Sequence, residues 1–155
     1  MQNRRHVLSH STKVGLLLAA LGMLPTLARA QVAAYNTAAF DAKSIPDTMK
    51  AMGGGTPVES KDVTITAPDI AENGAVVPVG ASTALPGVKR MLILVEKNPS
   101  VLTAAFDVTD AIDSSFSTRV KMGQSSNIYV VAMLGDGKVL FAQKEVKVTL
   151  GGCGG

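Results

Sequence analysis

Residues 127–150 read NIYVVAMLGDGKVLFAQKEVKVTL, and the reading of that stretch decides the fold. An apolar run occupies 127–134, Asp136-Gly137 follows, and a second patterned run begins at Lys138. Asp-Gly between two such runs is a strong local signal for a β-hairpin. The second arm is amphipathic, but its parity changes along its length. Val139 and Phe141 stand at odd positions, whereas Val146, Val148 and Leu150 stand at even ones, interleaved with Lys144, Glu145, Lys147 and Thr149. Side chains of a strand alternate with a period of two, so a parity change implies an extra residue, and a β-bulge is expected near Ala142-Gln143.

Upstream, the same period recurs in short segments separated by turn residues: 62–66, 76–79, 88–95 and 116–122. The run Met91-Leu92-Ile93-Leu94-Val95 is continuously apolar, as in a strand buried on both faces. Pro78 cannot donate to a ladder, which places its segment at an edge or a bulge. About seven short strands with regular turns predict an antiparallel β-sandwich of immunoglobulin-like type, with a barrel as the alternative. Before them, Ala38, Ala39, Phe40, Ile45, Met49 and Met52 recur at spacings of three and four, which predicts one broken helix or two short ones. Pro46 suits an early helical position and Gly53-Gly54-Gly55 ends the segment. The glycine run reads as a linker, because no strand leads into it and no Lys-Ser or Lys-Thr follows it, as a phosphate loop requires.

The first thirty residues read as an address. Arg4, Arg5 and Lys13 form a positive region without acids, residues 14–24 are apolar, and Ala28-Arg29-Ala30 places small residues where a signal peptidase reads, so cleavage is expected before Gln31. Arg4-Arg5 suggests twin-arginine export, with ordinary unfolded secretion as the alternative. Removing 30 of 155 residues leaves 125, enough for one domain with its own core. The leader takes four of the 15 basic residues and none of the 12 acids, so 11 remain against 12 and the net charge falls to about −1. No nucleic-acid footprint and no membrane span are expected of the remainder.

Both histidines, His6 and His10, lie in the leader, so residues 31–155 contain no Ser-His or Cys-His pair and no histidine ligand for a metal. Cys153 is the single cysteine, which excludes an internal disulfide and a CxxC redox pair. It sits in Gly151-Gly152-Cys153-Gly154-Gly155, where glycines cannot pack and a mobile arm is expected. Three extended residues past Leu150 would carry the thiol about 10 Å beyond the domain. No cation lies within the tail to stabilise a thiolate, and a free cysteine titrates near about 8.5. Activation therefore falls to whatever site the arm enters, so the chain reads as a carrier of substrate on Cys153 and not as an enzyme, with no cofactor of its own. An exposed thiol also favours Cys153-linked homodimers.

This ending resembles that of the SoxY family, the sulfur-carrying proteins of periplasmic thiosulfate oxidation. Similar stretches include Pro57-Val58-Glu59-Ser60, residues 67–79, Leu94-Val95-Glu96-Lys97-Asn98-Pro99, Ser117-Thr118-Arg119-Val120-Lys121-Met122 and residues 144–150. The resemblance implies an immunoglobulin-like fold, a periplasmic heterodimer with SoxZ, and Cys153 as covalent anchor. It further implies transient docking to SoxAX, which conjugates thiosulfate oxidatively, to SoxB, which hydrolyses the terminal sulfonate, and, where present, to SoxCD, which oxidises the remaining sulfane. The expected organisation is an export signal at 1–30, a helical segment and glycine linker at 31–55, the sandwich at 56–150 and the arm at 151–155.

Other readings remain. Cys153 could serve only to form an intermolecular disulfide in a periplasmic binding module. Gly154-Gly155 invites comparison with small β-grasp carriers that hold sulfur as a terminal thiocarboxylate, but their ATP-dependent activation conflicts with export. Asp69, Glu72 and Asn73 supply oxygen ligands without EF-hand spacing, so turn and strand-end hydrogen bonding is the expectation there, with a partner contact as the functional alternative. Arg119 and Lys121 alternate on one strand face and are expected to be solvated.

Overall fold

The computed structural model describes residues 36–150. The expectations for the export signal and for the arm lie outside them.

Two short helices come first, α1 (Thr37–Asp41) and α2 (Ile45–Ala51). Asn36 caps α1, its Oδ1 accepting from the Ala39 N–H at 3.1 Å. Ser44 caps α2 by accepting from the Asp47 N–H at 3.2 Å, and Pro46 lies in the first turn, where its missing N–H costs nothing. The glycine run ends the helical segment as expected, and its first two residues do so as a cap and not as a plain linker. Gly53 takes φ +72° and its N–H bonds to the Lys50 carbonyl at 3.1 Å, while the Gly54 N–H reaches the Met49 carbonyl at 2.9 Å. That is a Schellman cap, which requires the left-handed conformation at Gly53. Gly54 is packed as well, since a Cβ there would lie 2.7 Å from the Met49 Cε.

Nine strands follow: β1 (Val58–Glu59), β2 (Val63–Thr66), β3 (Ile70–Ala71), β4 (Val77–Thr83), β5 (Val88–Val95), β6 (Leu102–Asp107), β7 (Ser115–Val120), β8 (Ser126–Leu134) and β9 (Val139–Val148). They form two sheets. The larger has the order β1-β9-β8-β5-β6 with β3 also on β9, and the smaller has the order β2-β4-β7. The main ladders are antiparallel, whereas the two-residue strands β1 and β3 pair with β9 in parallel. The architecture is the expected immunoglobulin-like β-sandwich. Pro78 lies in the central strand of the smaller sheet, yet it has a ladder neighbour on one side alone, because β2 pairs β4 no further than Gly80. A prolyl residue is therefore tolerated where the strand is locally an edge.

The β8–β9 hairpin turns at residues 135–137. Gly137 takes φ +88° and its N–H bonds to the Leu134 carbonyl at 3.1 Å. The Asp136 carboxylate accepts from the Lys138 N–H at 3.0 Å, and this bond with the Lys138 side chain holds its pKa below the ordinary value. No bulge interrupts β9, since the register runs without a shift from Ser126↔Val146 to Met133↔Val139. The parity change has another cause. Val139 and Phe141 join an apolar cluster with Leu92, Leu94, Val131 and the helical residues Ala39 and Met49, whereas Leu140, Ala142, Val146 and Val148 face the cluster between the sheets. The helices thus form a third layer over part of the outer face, and β9 changes its apolar parity because it passes out from under them. The same layer explains why β5 is buried on both faces, with Met91, Ile93 and Val95 toward the smaller sheet and Leu92 and Leu94 toward the helices. At the far side of the sandwich, Phe106 of β6 stacks on Phe116 of β7 with centroids 4.4 Å apart, closing the gap between the sheets.

Leu92→Ala is accordingly expected to lower the stability by about 2–5 kcal/mol, the range for truncating a fully buried leucine. Denaturant unfolding monitored by circular dichroism measures this. A loss under about 1 kcal/mol would show that the helical layer adds little to the core.

Candidate functional site

Cys153, Gly151, Gly152, Gly154 and Gly155 lie outside the described residues, so the site begins at its root, the end of β9. The ladder to β8 ends at Ser126↔Val146, and beyond it other groups hold the strand. On one side the Val148 N–H donates to the Ser125 Oγ at 2.9 Å. On the other, residues 69–74 run beside the strand as a strap. The Lys147 N–H donates to the Asp69 carbonyl at 3.0 Å, the Thr149 N–H to the Ala71 carbonyl at 3.1 Å, and the Gly74 N–H to the Leu150 carbonyl at 2.8 Å. The Thr149 hydroxyl adds a bond to the Glu72 carbonyl at 3.1 Å.

The strap is itself fixed. The Gly74 carbonyl accepts from the Met122 N–H at 2.7 Å, just past β7, so the strap joins the two sheets. Asn73 accepts from the Ala75 N–H at 2.9 Å through Oδ1, forming a local turn. Lys144 pairs with Asp69 at 2.9 Å and also donates to the Ala67 carbonyl. Each such bond contributes about 0.5–1.5 kcal/mol net, so together they hold the polypeptide firmly as far as Leu150. Exposed apolar side chains stand on the strap (Ile70), between the strap and β4 (Val76) and just past β9 (Leu150).

The oxygens of Asp69 and Asn73 are thus engaged in an ion pair and a turn, in line with the strand-end reading of this segment. Among the described residues no cluster of three His, Cys, Asp or Glu side chains could hold a metal ion. Arg119 and Lys121 are exposed, as expected of solvated side chains. The strap was legible in the sequence as turn chemistry, but its pairing with β9 was not, because a two-residue parallel strand carries no periodic signal.

The family profile of the sulfur oxidation protein SoxY matches residues 48–153. In structure the chain resembles the sulfur carrier protein SoxY from Chlorobium limicola f thiosulfatophilum, with 40% identity, a TM-score of 0.62, and 69% of this chain and 97% of that one covered. The chain belongs to the SoxY family. A SoxY-family protein serves as a sulfur carrier in sulfur oxidation, and here the family match runs through the end of β9 and reaches Cys153. A superoxide reductase (neelaredoxin) from Ignicoccus hospitalis also resembles the chain, with 18% identity, a TM-score of 0.50, and 56% of this chain and 79% of that one covered. At that identity the likeness extends to the fold alone. No curated protein matches the chain.

Proposed function

We propose that this SoxY-family chain holds the intermediates of thiosulfate oxidation covalently on Cys153 and presents them to partner enzymes in the periplasm. The observation that carries this reading is the family match extending through Gly151, Gly152 and Cys153, directly beyond a strand end anchored on both sides. A firmly held root and a glycine arm of about 10 Å suit a thiol that must enter a narrow cavity in another protein.

The chemistry divides between carrier and partners. The Cys153 thiolate and the outer sulfur of thiosulfate form an S–S bond with the loss of two electrons, which pass to the haem centres of a SoxAX-like protein. Water then attacks the terminal sulfonate sulfur in a SoxB-like enzyme and breaks the bond between it and the sulfane sulfur, so that sulfate and a proton leave while the bond from Cys153 to the sulfane stays intact as a persulfide. A SoxCD-like enzyme, where the host has one, oxidises the remaining sulfane. The carrier contributes reach and a leaving or accepting sulfur, and no cofactor. It works as a heterodimer with a SoxZ-like subunit and docks to the enzymes transiently, the exposed Ile70, Val76 and Leu150 offering an apolar collar at the root of the arm. Export through the leader at 1–30 fits this chemistry, and homodimers linked through Cys153 are the expected off-pathway product in air.

The test is reconstitution with SoxZ-, SoxAX- and SoxB-like partners, thiosulfate and an external electron acceptor that reoxidises the haems. Sulfate release is expected to require the chain, and in the absence of a SoxCD-like enzyme to stop once each Cys153 holds a persulfide. Equal release without the chain would overturn the carrier role.

A further inference from the structure

The helical layer covers the outer face of the larger sheet incompletely. It lies over Leu92, Leu94, Val131 and Val139, and Tyr129 and Phe141 stand at its margin, each half-buried. Their rings lie 5.7 Å apart with planes tilted by 44°. On the same face of β9, Gln143 and Glu145 follow Phe141 and are exposed.

The register places carboxylates around this aromatic pair. Glu59 of β1 stands opposite Phe141, and Glu145 of β9 stands opposite Asn127. The Asn127 amide donates to the Glu96 carboxylate at 3.0 Å, so Glu96 borders the same row. Tyr129 senses the arrangement: burial first, then the Glu96 carboxylate, push its phenol above the ordinary value, while a hydrogen bond to Asn127 acts the other way. Lys147 continues the face toward the arm.

The edge is open at the same place. Among the described residues, β1 pairs β9 at Leu140 and Phe141 and β3 pairs it at Lys147 and Val148, so residues 142–146 have no neighbouring strand on that side. An aromatic centre with a polar rim, beside an unpaired stretch of edge, has the composition of a protein interface.

We propose that this open half-face, Tyr129 and Phe141 bordered by Glu59, Glu96 and Glu145, is the seat of the partner subunit, which meets it with an apolar centre rimmed by lysine or arginine. The inference rests on the reading of the chain as one half of a heterodimer. A second copy of this chain fits less well, because a two-fold contact through this face would bring glutamates to a common rim.

The experiment measures binding of the SoxZ-like subunit to the full chain by titration calorimetry at low and at high salt. The variants are Glu59→Lys with Glu145→Lys, Glu96→Lys, and Asp110→Lys as a control on an exposed loop. Reversal at the rim is expected to weaken binding at least tenfold and to flatten its salt dependence, with the unfolding midpoint unchanged. Asp110→Lys should bind as the wild type does. If the wild type binds and the rim variants bind equally well, the partner sits elsewhere and this inference is overturned while the heterodimer stands. If the wild type binds no such subunit, the heterodimer reading itself fails. Self-association of the wild type that the rim variants abolish would assign the face to a second copy instead.

Discussion

Cys153→Ser is expected to abolish thiosulfate-dependent turnover while leaving the fold and the heterodimer unchanged. A serine hydroxyl is nearly the size of the thiol, but it yields no accessible anion at neutral pH and cannot form a sulfur–sulfur bond. Residue 153 lies three positions past Leu150, the last residue of the chain end that the strap bonds. Sulfate released per chain with reconstituted partners measures the loss, and circular dichroism with size-exclusion chromatography measures the retained fold and assembly. Turnover surviving in the serine protein would remove Cys153 from the chemistry.

Gly152→Val combined with Gly154→Val is expected to cause nearly as large a loss while the thiol remains. Valine is branched at Cβ, which narrows the accessible φ/ψ range of the arm, and two such side chains widen it where it must thread a cavity. Alkylation of Cys153 by a small reagent should proceed at the wild-type rate, because access from solvent is not what the substitutions change. Normal turnover in the double-valine protein would mean that the glycines have no part in access.

Different parts of the molecule were legible for different physical reasons. The continuous apolar run of β5 announced burial on both faces, and the helices that cause it were visible as a separate pattern, but nothing local connected the two. The same missing connection made the parity change of β9 look like a bulge. A register shift and a change in the covering layer produce the same one-dimensional pattern, and a third layer is settled by packing distant in sequence. β6 carries Ala104 and Ala105, which favour strands weakly, and it gave no signal of its own. Gly53-Gly54-Gly55 marks the end of a helix in the sequence, but a cap and a linker share that composition and differ only in φ and in what packs against them. At the candidate site, composition singles out Cys153 within its glycines as an expectation, on residues that lie outside those described. The strap that holds the arm's root depends on single parallel pairings, below the length at which periodicity is informative.

The central claim is that sulfur is carried covalently at one residue. Tandem mass spectrometry of the C-terminal peptide, from protein isolated without reductant from thiosulfate-oxidising cells, tests it most directly. The expected spectra show thiosulfate, sulfonate or sulfane additions localised to Cys153 and removed by a thiol reductant. A peptide that carries only the free thiol, or only a disulfide to another chain, would contradict the carrier role and leave the cysteine as a simple cross-link.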